Sequence, residues 1–269
     1  MPTDNAAFVG SIPENYDQYL GPAMFDPYAK DLVARLEVPE NATVLEIACG
    51  TGIVTRRLRD QLPPSTKIIA TDLNDAMMNY AGQKFRPEEN VEWKPADATE
   101  LPFADASFDA VVCQFGLMFF PDKPKAAGEV YRVLKPGGSF LFNVWDAIEQ
   151  NEMPDLTHKI VSSYFEDNPP DFYDIPFSYY DRDTLRSLLA SAGFNDIDVS
   201  VVALPEVADS AQGMAHGFIH GNPLINAINE RNAALAPEIE AAVAKSIASR
   251  FGDGPVRAKM QAVVCTARK

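Results

Sequence analysis

The amino-acid sequence predicts an α/β fold, with a mostly parallel sheet that carries helices on both faces. The first observation is that short, largely apolar segments rich in β-branched residues alternate with segments of helical periodicity across roughly residues 43–145. Such alternation favours parallel strands joined by crossover helices. The second is that 46% of the 269 residues are hydrophobic and 23% are charged, which is typical of a globular protein with a large core.

A helical lead-in is predicted over residues 11–37. Ser11 and Glu14 have the spacing of a capping box, and the pair Gly21-Pro22 interrupts the first helix. Asp26 is expected to cap a second helix, because Pro27 follows it at the first helical position.

The core of the fold is expected over residues 40–146. Its strands are short β-branched runs, and each of its helices is bounded by turn or capping residues. The predicted strands are residues 43–48, 67–71, 91–94, 108–114 and 139–145. The predicted helices are residues 53–62, 75–85 (with Asp75 as N-cap) and 123–134.

The second half of the chain is less regular. A helix over 181–192, a strand over 194–203, mostly helical structure over 209–250 and a last strand over 259–267 are predicted. No linker separates these elements, so we expect one domain over residues 1–269. Residues 147–180 and 205–255 are then insertions that cover the carboxyl edge of the sheet, where ligands bind in such folds.

Composition and charge exclude several classes of protein. The net charge of −15 opposes binding to phosphate backbones, so nucleic acid is not an expected partner. Cys49, Cys113 and Cys265 lack the spacing of a disulfide framework or a zinc site, which favours a cytoplasmic location. The N-terminus has no secretory signal, and no apolar run approaches the roughly 18 residues of a membrane span, so no membrane partner is expected.

A glycine-rich turn follows the first predicted strand. The turn contains Ala48, Gly50, Thr51 and Gly52, and glycine there lets a ligand approach the backbone closely. Glu46, just before the turn, is placed to accept a hydrogen bond from an amino group. Taken alone, the two glycines are equally consistent with a plain tight turn.

Three further polar positions lie at the ends of the next strands. Asp72 follows the second strand, 20 residues after Gly52, where an acidic residue accepts hydrogen bonds from ribose hydroxyls. Asp97 follows the third strand and is suited to an adenine amino group. Gln114 and Phe115 end the fourth strand. A helix-capping role for Asp72 is an alternative, but the four features together favour a nucleotide-type site.

The segments VLEIACGTG (44–52), TDLNDAMM (71–78), residues 96–120 and EVYRVLKPGG (129–138) resemble the class I S-adenosylmethionine-dependent methyltransferases. The chain looks most like the small-molecule branch that includes the ubiquinone and menaquinone C-methyltransferases. The resemblance covers roughly residues 40–146. It implies a Rossmann-like, seven-stranded sheet with an antiparallel last strand, S-adenosyl-L-methionine as cofactor, and S-adenosyl-L-homocysteine as product.

The resemblance also implies roles for individual residues. Ala48 is a departure, because it stands where the family's first motif has its first glycine; we expect cofactor binding to survive this one methyl group. The implied cofactor contacts are Glu46 with the methionine amino group, Gly50, Thr51, Gly52, Gln114 and Phe115 along the methionine portion, Asp72 with the ribose, Leu73 and Met77 by the adenosine, Asp97 and Ala98 with the adenine, and Tyr16 and Tyr19 as a cover.

The methyl acceptor is expected to be a small apolar or aromatic molecule. Residues 164–180 are rich in aromatic side chains, although core filling explains such a segment equally well. His216 and His220 have i, i+4 spacing, but the surrounding HGFIHGNP offers no further ligand, so no metal site is expected. The candidate substrate residues are Phe119, Trp145, Tyr173, Tyr179, His216 and His220, with Phe120, Asp146, His158 and Tyr180 as weaker candidates.

Three other functions compete with methyl transfer to a small molecule. A dinucleotide-dependent oxidoreductase would have a third glycine after Gly52, and Val54 and Thr55 stand there instead. A module that binds the cofactor without transferring a methyl group is the second alternative. A protein or nucleic-acid methyltransferase is the third, and the acidic composition opposes it. No residue is assigned as a catalytic base.

Overall fold

A computed structural model of the protein describes residues 7–269, and the first six residues of the expected domain lie outside the described range. The strands form one seven-stranded sheet in the order β3-β2-β1-β4-β5-β7-β6. They are β1 Thr43–Ile47, β2 Lys67–Asp72, β3 Val91–Pro95, β4 Phe108–Gln114, β5 Leu134–Trp145, β6 Asn195–Ala208 and β7 Val256–Arg268. The predicted fold class is confirmed, including the antiparallel last strand, because β7 runs antiparallel to both β5 and β6.

The α-helices cover both faces of the sheet and its carboxyl edge. They are α1 Ile12–Asn15, α2 Asp26–Ala34, α3 Ile53–Gln61, α4 Asp75–Gly82, α5 Lys123–Val133, α6 Glu152–Ser163, α7 Arg182–Ala192, α8 Ala211–His220, α9 Leu224–Asn232 and α10 Ala236–Phe251. Short 3-10 turns lie at Leu117–Phe119, Ile148–Gln150 and Phe172–Asp174, among other places.

The alternation of side chains along the strands builds two cores. Leu45 and Ile47 of β1 point into the larger core, whereas Val44 of the same strand points into a smaller core with α2 and α3. Since successive side chains of a strand face opposite sides, an apolar run such as Val111–Cys113 supplies both cores at once. This explains why the central strands show little polar alternation in the sequence.

The lead-in differs from its prediction. Residues Tyr16–Phe25 form a π-helix that continues directly into α2, and Pro22 lies inside it. Proline has no N–H to donate, and the wider turn accommodates it, with the N–H of Asp26 bonding the carbonyl of Gly21. The capping box predicted at Ser11 was wrong, because the Ser11 side chain caps nothing. Asp26 caps no helix either; it forms an ion pair with Arg57.

Two strands are longer than predicted at the carboxyl edge. β6 continues from residue 203 to Ala208, and β7 begins at Val256 rather than 259. The two strands pair with each other beyond the end of β5, from Val202 opposite Ala262 to Ala208 opposite Val256. Pro205 is compatible with this extension because β6 is an edge strand of the sheet.

Candidate active site

The turn after β1 brings backbone N–H groups to the carboxyl edge of the sheet. Gly50 and Gly52 have φ values of +54° and +79°, in the region that favours glycine. A Cβ at Gly52 would lie only 3.1 Å from the Cβ of Ala81 on α4. Glycine at position 52 therefore has two effects: it adopts the positive φ of the turn, and it lets α4 pack close to the turn.

Ala48 also has a positive φ, of +55°. Its methyl group occupies the space in front of Gly116 after β4, where an added Cβ would lie 2.5 Å from the Ala48 Cβ and 3.0 Å from the Cys113 sulfur. The alanine at the position of the family's first glycine is thus accommodated by a glycine on the neighbouring strand. The two positions are physically coupled.

We expect Gly116→Ala to lower the free energy of unfolding by about 1–3 kcal/mol, because its methyl group overlaps that of Ala48. Adding Ala48→Gly should recover part of this loss, with a coupling of at least about 0.5 kcal/mol in a double-mutant cycle. Urea denaturation of the four proteins measures the coupling. Gly128→Ala on α5 is the control, since nothing lies within 4 Å of its added Cβ. Additive effects at 48 and 116 would contradict the contact.

One buried and one half-buried carboxyl group lie beside the turn. Glu46 is 1% exposed, and the Thr55 hydroxyl donates to its Oε2 over 2.6 Å. Burial raises the pKa of Glu46 to about 8, with a further contribution from Asp72. Asp72 accepts hydrogen bonds from the N–H of Gly50 (2.8 Å) and of Asn74 (2.7 Å), and burial raises its pKa against the effect of these donors.

The neighbouring strands complete this edge. Asp97 follows β3 and accepts from the N–H and hydroxyl of Thr99 at 2.7 and 2.8 Å. Leu73 is 60% exposed beside Asp72, an unusual exposure for a large apolar side chain that a planar ligand would cover. Ala98 is nearly buried, and Met77 is buried on α4, with its Cε 3.5 Å from the position of a Cβ on Gly50. The N-cap of α4 is Asn74, not Asp75 as predicted.

The end of β4 is linked to the N-terminal segment. The Gln114 side chain donates to the carbonyl of Phe25 over 3.1 Å and lies 3.5 Å from the Asn143 amide. The N–H of Phe115 bonds the side chain and the backbone carbonyl of Asn143, which holds Phe115 at a φ of +49°. Gln114 therefore places the π-helix over the strand ends.

Tyr16 and Tyr19 point to different places. Tyr16 stacks on Phe25 with ring centroids 4.5 Å apart, and burial raises its pKa, as do Asp17 and Asp72, so it lies near the Asp72 carboxylate. Tyr19 instead packs on α8, with its ring 4.9 Å from that of His216. The two tyrosines of the predicted cover thus lie apart: Tyr16 packs on Phe25 within reach of the charge of Asp72, and Tyr19 packs on α8.

A row of buried aromatic rings begins at Phe115. The ring of Phe115 stacks on Trp145 at 3.8 Å and an interplanar angle of 7°. Phe25 meets both rings edge-on at 5.7 and 5.8 Å, and Tyr28 does so at 5.5 Å from each. Phe177 lies 6.0 Å beyond Trp145. Phe25, Tyr28 and Phe177 were missed from the sequence, since nothing in it indicates which way these side chains point.

The remaining candidate substrate residues divide into two groups. Phe119 lies by the N-terminal segment, 6.4 Å from Phe8, and Tyr173 lies 5.9 Å from Phe177. The others have different surroundings. Phe120 packs against the main core, and Tyr180 is 40% exposed. The ammonium of Lys123 lies over the ring of Tyr179, and the side-chain amide of Gln261 donates a hydrogen bond to Asp146. His158 lies edge-on to Tyr173.

His216 and His220 share a carboxylate partner. His216 Nδ1 lies 3.2 Å from one oxygen of Glu240 on α10, and His220 Nε2 lies 3.0 Å from the other. Glu240 thus supplies a third side chain that the sequence around the histidines did not reveal, and the three ligand atoms lie within 4.8 Å of one another. One ring nitrogen of each histidine therefore faces α10.

Comparison with known proteins identifies the family. Residues 45–142 match the family model described as a methyltransferase domain. A demethylmenaquinone methyltransferase from Staphylococcus epidermidis is 31% identical over 206 residues, which cover 70% of this chain and 84% of that protein. The ubiquinone/menaquinone biosynthesis C-methyltransferase UbiE from Escherichia coli is 31% identical over 180 residues, covering 60% of this chain and 69% of that protein.

A solved structure is also similar to this fold. Phosphoethanolamine N-methyltransferase 2 from Haemonchus contortus, in complex with phosphomonomethylethanolamine and S-adenosylhomocysteine, superposes with a TM-score of 0.63 at 18% identity. The match covers 99% of this chain and 58% of that chain. Among residues 7–269, no helix is long and apolar enough to cross a membrane.

The residues at the strand ends suit an adenosyl cofactor that carries an amino group. Carboxylates follow or end three neighbouring strands, the glycine turn leaves the backbone accessible, and the buried Thr51 hydroxyl finds no hydrogen-bond partner among the described residues. A ligand with hydroxyl and amino groups would satisfy all of these. Together with the 31% identity over most of a demethylmenaquinone methyltransferase, this shows that the chain belongs to the class I S-adenosylmethionine-dependent methyltransferases, in the branch that contains the ubiquinone and menaquinone C-methyltransferases.

Proposed function

We propose that this enzyme transfers the methyl group of S-adenosylmethionine to a small apolar or aromatic acceptor that lies against Phe115, Trp145 and Phe177. The observation that carries the proposal is the row of buried rings that starts at Phe115, at the end of β4, and continues through Trp145 to Phe177. Aromatic side chains of this kind favour flat apolar ligands. The names of the two relatives concern quinone biosynthesis, which is consistent with an aromatic, oxygen-bearing acceptor.

We further propose how the chain holds its cofactor. Asp72 accepts hydrogen bonds from the ribose hydroxyls, since a carboxylate that already accepts from two N–H groups retains lone pairs for more. Asp97 accepts from the adenine amino group, and the exposed Leu73 covers the adenine face. Gly50, Thr51, Gly52, Gln114 and Phe115 border the methionine portion, with Ala48 narrowing the space beside it.

Glu46 is proposed to hold the methionine amino group. In the absence of a ligand, burial keeps this carboxyl neutral up to a pH of about 8. An ammonium group beside it would favour the ionised form, because opposite charges lower the pKa of an acid. Binding of the cofactor would therefore release the proton of Glu46 to solvent. The ionised carboxylate would then accept a charge-assisted hydrogen bond from the ammonium group.

The protein's part in the reaction is mainly positional. The cofactor supplies an electrophilic methyl group on a sulfonium, and the acceptor must lie in line with the bond that breaks. Holding the two reactants in this orientation contributes on the order of 7–11 kcal/mol to catalysis. The buried rings around Trp145 exclude water from the path, and the π-helix that carries Tyr16 and Phe25 closes the site from above.

The acceptor class is tested by transfer of a radiolabelled methyl group from S-adenosylmethionine to phenols, naphthols, reduced quinones, aliphatic amines, a lysine-rich peptide and a transfer RNA. We expect transfer to neutral aromatic molecules only. Phe177→Ala should raise KM for them by about tenfold and leave the cofactor Kd unchanged, because it removes one ring of the acceptor surface.

Tyr180→Ala is the matched control, since Tyr180 lies three residues away in the same segment and is 40% exposed. It should leave both constants unchanged. Transfer to the peptide or the RNA alone would overturn the small-molecule proposal. An unchanged KM in Phe177→Ala would remove Phe177 from the acceptor surface.

A further inference from the structure

The insertions enclose a carboxyl group that has no partner. Glu206 is 0% exposed, and neither of its oxygens accepts or donates a hydrogen bond among residues 7–269. The hydroxyl of Tyr173, which is 4% exposed, makes no hydrogen bond of normal geometry, although Asn222 lies close enough to it to lower its pKa. Polar groups of this kind are nearly always satisfied in native proteins, because burying them unpaired is costly. Their presence indicates a ligand that supplies the missing bonds.

Glu206 occupies a position that the strand would ordinarily give to an apolar residue. Along β6, Val202 and Leu204 pack against the main core, and Glu206 continues the same inward row. The outward row contains Val201 and Val207, each 42% exposed. A carboxyl group faces inward while valines face solvent, which is the reverse of the pattern that stabilises a sheet.

Glu206 faces a small side chain across the strand pair. Its cross-strand neighbour on β7 is Ala258, which has the smallest side chain that an inward position of this strand carries. Val202 on β6 and Trp145 on β5 lie at the same level of the sheet, because both pair with the same residue of β7. Glu206 is four residues further along β6, which is about 13 Å at the usual rise of a strand. The carboxyl group of Glu206 thus lies far from Trp145, at the other end of the region that the insertions cover.

A continuous row of rings connects the two ends. From Trp145, which stacks on Phe115, the next ring is Phe177 at 6.0 Å, and Tyr173 follows at 5.9 Å. Glu206 raises the pKa of Tyr173, as does burial, which places the carboxyl close to the phenol. The row of rings that begins at the cofactor edge therefore ends at the Tyr173 phenol and the unpaired carboxyl of Glu206.

We propose that Glu206 and Tyr173 form an oxygen-binding subsite for the methyl acceptor, and that they hydrogen-bond a hydroxyl or carbonyl group of an aromatic molecule whose ring lies against Trp145 and Phe177. This inference rests on the proposed function. Burial raises the pKa of Glu206 to about 8, so near neutral pH its carboxyl both donates and accepts. The subsite then suits an uncharged oxygen group and disfavours acceptors that carry a carboxylate or a phosphate there.

The test compares two probes that differ by one hydroxyl, 1-naphthol and naphthalene. Their dissociation constants are measured by calorimetry on the whole protein, with and without saturating S-adenosylhomocysteine. Wild type should bind 1-naphthol at least about tenfold more tightly than naphthalene, since the hydroxyl satisfies a buried group. Glu206→Leu should reduce this preference to within about twofold, and Tyr173→Phe should reduce it in part.

Glu149→Gln is the matched control, because it neutralises an exposed carboxyl on the same side of the molecule and should leave the preference unchanged. Melting temperature is a second readout that separates a binding role from a structural one. Glu206→Leu removes an unsatisfied buried group, so its melting temperature should equal or exceed that of wild type. If Glu206→Leu does not fold, the deciding measurement is the ratio of the dissociation constants of naphthalene and 1-naphthol in Tyr173→Phe.

The outcomes separate the inference from the proposed function. Loss of the preference in Glu206→Leu and a partial reduction in Tyr173→Phe, with the melting temperature of Glu206→Leu kept or raised, support the subsite. Equal preference in wild type and variants, or no binding of 1-naphthol to wild type, overturns it even where S-adenosylhomocysteine binds normally. Failure of S-adenosylhomocysteine to bind counts against the cofactor site, and the titrations without it still test Glu206 and Tyr173.

Discussion

Asp72→Ala is expected to weaken the binding of S-adenosylhomocysteine by about 10- to 100-fold, the effect of losing roughly 1.5–3 kcal/mol of charge-assisted hydrogen bonding. The carboxylate lies at the end of β2 and already orients the turn through the N–H of Gly50. Its loss therefore removes the ribose contact and loosens the backbone that faces the cofactor. Isothermal titration calorimetry measures the change directly.

Two variants divide the effect of Asp72 into its parts. Asp72→Asn keeps an oxygen that accepts from the backbone but removes the charge, so it should weaken binding by an intermediate amount. Asp75→Asn is the control, because this carboxylate is exposed three residues further along the same segment. An Asp72→Ala protein that is folded and binds with wild-type affinity would show that the ribose does not lie at the end of β2.

The free energy of unfolding is expected to fall as the pH rises from 5 to 8. Glu46 and Glu206 are buried carboxyls whose pKa in the folded protein is raised to about 8. In this range the folded chain holds protons that the unfolded chain releases, so each carboxyl lowers stability by up to roughly 1.4 kcal/mol per pH unit. Below the unfolded pKa, near pH 4.5, both forms are protonated and the effect vanishes.

Single variants assign the pH dependence. Glutamine does not titrate, so Glu206→Gln and Glu46→Gln should each flatten the curve between pH 5 and 8 relative to wild type. Besides burial, Glu152 raises the pKa of Glu206; Asp72 raises that of Glu46, and the hydrogen bond from Thr55 lowers it. Glu206 in turn faces Tyr173 and Tyr28, and Glu46 faces Cys49 and Cys113. Urea denaturation at pH 5.5, 7 and 8 measures the slopes. A curve that Glu206→Gln leaves unchanged would show that this carboxyl is ionised in the folded protein.

The positions of the proposed cofactor residues at the strand ends were predictable, because these residues are local to the strands. Glu46, Asp72, Asp97 and Gln114 each belong to a short segment in which strand, turn and polar side chain follow one another. The carboxyl ends of parallel strands meet at one edge of the sheet. Residues that follow these strands in the sequence therefore become neighbours in space. The sheet itself followed from the same alternation.

The proposed acceptor side was not predictable, because its residues come together through packing between distant segments. Trp145 and Tyr173 were named from the sequence, but Phe25, Phe177 and Glu206 were not. Glu206 sits in the stretch Leu204-Pro205-Glu206, which resembles the end of a strand until its pairing with β7 is known. Tyr16 and Tyr19 show the same limit, since the π-helix turns one ring toward Phe25 and the other toward His216.

The central claim is that the nucleoside of the cofactor lies across the ends of β1 to β4, held at both ends by carboxylates. A crystal structure of the protein with S-adenosylhomocysteine tests it most directly. The account predicts the ribose on Asp72, the adenine between Leu73 and Asp97, the amino group by Glu46, and the sulfur facing the rings of Phe115 and Trp145. Density for the nucleoside elsewhere, or a π-helix that fills this edge in the presence of saturating ligand, would contradict it.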